Sequence, residues 1–169
     1  MLLEHVAAFG GALKGLGVLP GDRVLVDLAD DRDTVVGLLG AARVGAVTVR
    51  PPTRLGEAEL AMFVASAEPS VVVTSRPGLE LADVSPVVIS GDPSPVGSAV
   101  AWDVVVRSGR ADPAAAENVA ADAASALVWP EGPDTPVRVR TTVEQALALL
   151  EATRSVPVAA AELVGVLTR

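Results

Sequence analysis

Apolar positions follow two alternating patterns along the chain, one with helical spacing and one of short β-branched runs. Leu2, Val6, Phe9 and Leu13 recur three or four positions apart and predict a first helix, which Gly17 ends. Further helices are predicted over residues 33–44, 55–67, 100–106, 142–153 and 156–167. Short strands are predicted over residues 23–28, 46–49, 70–74, 86–89, 126–129 and 137–140.

Alternation of buried strands with amphipathic helices is typical of a parallel sheet that is covered on both faces. The sequence therefore predicts an α/β fold: a three-layer, doubly wound, mostly parallel sheet with helices on both faces. A length of 169 residues fits one domain. We expect residues 1–169 to form that domain, with residues 156–169 as a capping tail.

Charge and composition narrow the range of partners. The formal net charge is −8, which disfavours nucleic acid and anionic membranes as partners. No cysteine is present, so disulfides and thiolate metal sites are excluded. The first residues carry no basic segment of a signal peptide, and no apolar run reaches the roughly 20 residues of a membrane span. A cytoplasmic location is therefore expected.

Four segments between residues 15 and 74 carry a family resemblance. Residues 17–24 read G-V-L-P-G-D-R-V, and residues 38–47 read L-L-G-A-A-R-V-G-A-V. Glu59-Leu60 and then A-E-P-S-V-V-V-T, at 67–74, follow in order. This series resembles the N-terminal domain of adenylate-forming enzymes: acyl- and aryl-CoA synthetases, peptide-synthetase adenylation domains and luciferases. All of these matching residues suit turns, helix ends or core strands, so they imply a fold and not a reaction.

The resemblance also implies where a phosphate-binding loop would lie. In the family this loop follows a strand and has the form T-S-G-T-T-G-x-P-K-G. The corresponding positions here are Trp129, Pro130, Glu131, Gly132, Pro133, Asp134, Thr135, Pro136, Val137 and Arg138. Phosphate binding needs converging backbone N–H groups, hydroxyl donors and a cation.

These positions oppose phosphate binding. Pro130 and Pro133 have no N–H to donate, and Glu131 and Asp134 place carboxylates where a triphosphate would sit. Val137 occupies the position of the family's lysine, and Arg138 alone does not restore a set of donors. The family's later motifs, for adenine, ribose and the catalytic lysine, have no counterpart in these residues. We therefore expect no ATP cofactor, no catalytic residues and no adenylation by this chain.

A second candidate site is a group of carboxylates at the end of the first strand: Asp27, Asp30, Asp31 and Asp33. Ligands bind at this edge in doubly wound folds, and carboxylates there could hold Mg²⁺. Helix capping and the helix dipole explain three of the four without a ligand, so we expect a possible cleft but no metal. His5, the single histidine, is expected to have a surface or packing role.

Three hypotheses for the function follow. The first is a non-catalytic, ligase-like pseudoenzyme that acts through self-association, such as a dimer, or through a partner protein in a biosynthetic pathway of secondary metabolism. The second is a repurposed protein that binds or transforms a small acyl or aromatic ligand without ATP. The third is one half of a split acyl-CoA ligase.

Overall fold

The computed structural model describes residues 2–52, 55–76, 87–89, 91, 99–117, 120, 123–128, 138–141 and 144. The helices in this part of the chain are α1 (Leu2–Gly15), α2 (Asp31–Arg43), α3 (Glu57–Ala67) and α4 (Trp102–Gly109). The strands are β1 (Arg23–Asp27), β2 (Val47–Arg50), β3 (Val71–Thr74), β4 (Val87–Ile89), β5 (Val100–Ala101), β6 (Ala124–Val128) and β7 (Arg138–Thr141).

The described strands form one sheet with the order β5-β4-β3-β1-β2-β6-β7. All neighbouring strands run parallel except β6 and β7, which pair antiparallel. β1 lies at the centre, where Leu25 is in register with Val49 of β2 and with Val72 of β3. The predicted fold class, a mostly parallel sheet within an α/β fold, is confirmed.

Alternate residues of the central strands point to opposite faces of the sheet. Val24 and Val26 of β1 belong to a buried cluster with α1, α2 and α4, whereas Leu25 belongs to a second cluster with α3. Val71 and Val73 of β3 follow the first pattern and Val72 the second. Because these strands are buried on both faces, they read as continuous apolar runs. Helices therefore cover both faces, and the predicted three layers are present.

Glycines allow α1 and α4 to cross closely. A Cβ atom added to Gly109 would lie 1.8 Å from the carbonyl oxygen of Ala8, and one added to Gly11 would lie 2.1 Å from that of Asp112. The same contact brings the rings of Phe9 and Trp102 to a centroid distance of 4.8 Å. This helix pair is held by close backbone approach and by its aromatic residues.

One predicted helix begins later than its sequence indicates. Residues 100–106 were expected to be helical, but Val100 and Ala101 pair in parallel with Val88 and Ile89 as β5, and α4 begins at Trp102. Backbone pairing at the sheet edge outweighs the local helical pattern here. Of the predicted helix 142–153 only Glu144 is described, in helical conformation, and the tail 156–169 lies outside the described residues. Among the described helices, none is long and apolar enough to cross a lipid bilayer.

Candidate functional site

The carboxyl ends of the parallel strands meet at one edge of the sheet. Asp27, Arg50, Thr74 and Val128 are the last residues of β1, β2, β3 and β6. The chain passes from β1 to β2 through α2 on one face, and from β2 to β3 through α3 on the other. The chain therefore adds β2 on one side of β1 and β3 on the other, so the strand order reverses at β1. Ligands of open α/β sheets bind in the crevice at such a point. This carboxyl edge is the candidate site.

Arg76 occupies the edge where β1 and β3 end. Its Nε donates to Oδ2 of Asp27 at 2.8 Å, and its Nη1 donates to the carbonyl oxygen of Leu55 at 2.7 Å. The side chains of Arg76 and Asp27 are 30% and 23% exposed, so the pair is largely shielded from water. One guanidinium thus joins the end of β1 to the segment that leads into α3.

Ser75 adds two further bonds between the same strand ends. Its backbone N–H donates to the carbonyl oxygen of Asp27 at 3.0 Å, and its Oγ accepts from the N–H of Ala29 at 3.0 Å. Together with Arg76, these bonds tie the chain after β3 to the chain after β1. The crevice at the strand reversal is bridged by the protein's own groups.

The four predicted cleft carboxylates have separate positions. Asp27 pairs with Arg76, while Asp30 caps α2 by accepting from the N–H of Asp33 at 2.9 Å. Asp31 is exposed in the first turn of α2, and half-buried Asp33 lines a different cleft beside His5. Within the described ranges, no group of three or more His, Asp or Glu side chains could hold a metal ion. The structure assigns Asp30 the capping role that the sequence allowed.

The predicted phosphate-loop positions connect β6 to β7. Val128 pairs in parallel with Arg50 on one side and antiparallel with Arg138 on the other. Both ends of the connection therefore lie at the carboxyl edge of the sheet. Arg138 is the first residue of β7, and residues 129–137 lie outside the described residues.

Comparison with known proteins identifies the family. The sequence profile described as AMP-binding enzyme matches residues 1–151. The chain belongs to the AMP-binding enzyme family. A 3-hydroxybenzoate–CoA ligase of Aromatoleum sp. (strain CIB) is 34% identical over an aligned length of 122 residues, and the match covers 66% of this chain and 23% of the ligase.

Solved structures of CoA ligases share the fold of this chain. An anthranilate CoA ligase in complex with anthranoyl-AMP superposes with a TM-score of 0.75 at 20% identity, over 93% of this chain and 32% of the ligase. An acetoacetyl-CoA synthetase from Streptomyces lividans gives a TM-score of 0.70 at 22% identity, over 90% of this chain and 26% of the synthetase. The chain thus spans less than a quarter of the curated relative and about a third of the first structure.

Two features of this chain could not be predicted from its sequence pattern. The Arg76–Asp27 pair joins residues 49 positions apart, and the only local signal was an arginine shortly after a buried strand. His5, expected to have a surface or packing role, is half-buried and forms a 3.0 Å contact with Nη2 of Arg110. That contact joins residues 105 positions apart, so spacing along the chain gives no indication of it.

Proposed function

We propose that this AMP-binding family member does not adenylate and acts through association with itself or with a partner protein. The observation that carries the first part is the sequence of the β6–β7 connection. It begins and ends at the carboxyl edge of the sheet, and it holds Pro130, Glu131, Pro133 and Asp134. We infer from the family resemblance that the phosphate-binding loop would lie at this connection.

The chemistry of this connection argues against a bound triphosphate. Proline has no N–H, so Pro130 and Pro133 remove donors from a site that depends on converging backbone N–H groups. A carboxylate about 4 Å from a phosphate charge is repelled by about 4 kcal/mol at an effective dielectric constant of about 20. Glu131 and Asp134 together would outweigh the attraction of one arginine, Arg138.

The state of the neighbouring crevice supports the same conclusion. The charges of Asp27 and Arg76 are paired with each other, and Ser75 is hydrogen-bonded to the backbone of Asp27 and of Ala29. A ligand that entered between β1 and β3 would have to displace these bonds. The groups in the crevice bond the ends of β1 and β3 to each other.

Association is supported by the outer face of α3. Ala58, Ala61, Met62 and Ala65 are exposed at helical spacing, and Met62 is 74% exposed. The charges of this helix, Glu57 and Glu59, are confined to its first turn. An exposed apolar strip of this kind is typical of a surface that another protein covers, and a two-fold dimer is the commonest arrangement.

Two measurements test the two parts separately. Calorimetric titration with ATP·Mg²⁺ is expected to give no saturable heat, and micromolar binding would contradict the loss of phosphate binding.

Light scattering is expected to show an oligomer that Met62→Lys dissociates. Val104→Lys is the matched control, because Val104 is also an exposed apolar residue, on α4 of the opposite face. A monomeric wild type, or equal effects of the two lysines, would contradict association through α3.

A further inference from the structure

A cleft of about 250 Å³ lies between the N-terminal part of α1, the start of α2 and α4, on the sheet face opposite α3. Its apolar wall consists of the buried side chains of Val36, Trp102 and Val106. Its rim carries His5, Arg32, Asp33, Asp103, Arg107 and Arg110. Apart from Asp33, one of the four predicted cleft carboxylates, these residues have no part in the carboxyl-edge site or in the β6–β7 connection.

The rim is positively charged in a protein that is strongly acidic. Three arginines, Arg32, Arg107 and Arg110, face two aspartates, whereas the whole chain has a net charge of −8. Among the described residues, ion pairs are formed by Lys14, Arg23 and Arg76 and not by the three cleft arginines. The excess positive charge of the rim therefore remains available to an anion.

Arg110 is held in place by an unusual partner. Its Nη2 lies 3.0 Å from Nε2 of His5. A guanidinium has only donors, so Nε2 of His5 accepts in this contact. An imidazole nitrogen that accepts orients the guanidinium without bringing the negative charge of a carboxylate. A carboxylate in the same position would have cancelled the positive charge of the guanidinium.

We infer that this cleft binds a small dianion with an apolar body, through Arg107 and Arg110 at the rim and Trp102 on the wall. Arginine binds phosphate and carboxylate oxygens through paired N–H groups, which suits a phosphate monoester or a dicarboxylate. The volume of about 250 Å³ is below the roughly 300–1,000 Å³ of pockets for drug-sized molecules, so the ligand is a smaller one. This inference is independent of the proposed function, because it uses no residue on which that proposal rests.

The fluorescence of Trp102 is the signal that would report binding in the cleft. The chain has two tryptophans, Trp102 and Trp129, so Trp129→Phe leaves the cleft residue as the single indole. Phenyl phosphate and phthalate are the two dianionic probes and distinguish a phosphate from a dicarboxylate ligand. Phenol and benzamide are the neutral comparators. Saturable fluorescence quenching by at least one dianion, and by neither neutral probe, is the expected result, with calorimetry on the wild type as a second measurement.

Charge-removing variants test whether the arginines are responsible. The double variant Arg107→Gln/Arg110→Gln is expected to weaken dianion binding by at least about tenfold, since it removes two of the three rim cations. Lys14→Gln is the control: it also removes a positive charge, from an exposed position at the other end of α1, and is expected to leave binding unchanged. Circular dichroism checks that each variant is folded. No quenching by either dianion, equal quenching by phenol, or full binding by the double variant would overturn the inference.

Discussion

Arg76 donates from Nε to Oδ2 of Asp27 at 2.8 Å, and this contact joins the ends of β1 and β3 at the point where the strand order reverses. The same guanidinium reaches the carbonyl oxygen of Leu55 at 2.7 Å. In open α/β sheets this position is where a ligand enters. In this protein the position is occupied by a partly buried ion pair, and a second hydrogen bond joins Arg76 to Leu55. These bonds hold the end of the sheet together.

The Arg76–Asp27 pair is expected to contribute measurably to stability. Arg76→Met should lower the free energy of unfolding by about 1.5–3 kcal/mol, because it removes a charged hydrogen bond and leaves Asp27 partly buried without its cation. A double-mutant cycle with Asp27→Asn, followed by urea unfolding, should give a coupling of about 1 kcal/mol or more. Additive effects of the two substitutions would show that the contact is not maintained in solution.

The close crossing of α1 and α4 predicts a strong effect of a single methyl group. Gly109→Ala would place Cβ 1.8 Å from the Ala8 oxygen and 2.7 Å from the Ala12 nitrogen, so the helices must separate. We expect a loss of about 3 kcal/mol or more in thermal or urea unfolding. Gly15→Ala is the matched control, since nothing lies within 4 Å of its added Cβ. A glycine-to-alanine change in a helix there should stabilise by up to about 1 kcal/mol. Equal effects at the two positions would refute this packing.

Asp30 is expected to act as a helix cap and not as a metal ligand. Asp30→Ala should destabilise the protein by about 1 kcal/mol, whereas Asp30→Ser, which can also accept from the N–H of Asp33, should be close to neutral. Thermal unfolding with and without Mg²⁺ provides the measurement. A rise in melting temperature with Mg²⁺ that Asp30→Ala abolishes would indicate a metal site at Asp27–Asp33.

Glu68 is the one described non-glycine residue with positive φ, at φ 46° and ψ 56°, where it ends α3. Glu68→Gly should stabilise the protein by about 0.5–1 kcal/mol, because glycine adopts this conformation without steric strain. The lost contact with Arg23, at 3.7 Å from an 80% exposed side chain, is worth little. Glu68→Ala keeps the strain and should not stabilise. Chemical denaturation that ranked alanine above glycine would be inconsistent with a left-handed helix end.

Local sequence patterns predicted the scaffold well because its residues act locally or through simple burial. The G-V-L-P-G-D-R-V and G-A-V segments predicted a turn and a strand entry, and the structure joins them directly. The N–H of Gly21 donates to the carbonyl oxygen of Gly45 at 2.8 Å, and both glycines have positive φ. Two of the four family-like segments therefore meet at this junction.

Sequence patterns could not predict the contacts that define the sites. Arg76 and Asp27, or Arg110 and His5, meet only because the sheet order and the helix crossing bring distant segments together. The strand β5 was missed for the same reason, since its two residues lie at the edge of the sheet and gain their pairing from β4. The four aspartates are close along the chain, yet Asp30 caps α2 and Asp27 forms an ion pair with Arg76, so their roles are separate.

The central claim is that the β6–β7 connection opposes phosphate binding, and a loop transplant tests it most directly. The recipient is the 3-hydroxybenzoate–CoA ligase of Aromatoleum, and residues 130–137 of this chain would replace its phosphate-binding loop. The rest of the ligase would stay unchanged. Transplanting residues 17–24, which form a scaffold turn, provides the control. ATP–pyrophosphate exchange should fall to background with the first transplant, while the second transplant stays active. Exchange that persists with residues 130–137 in place would contradict the account.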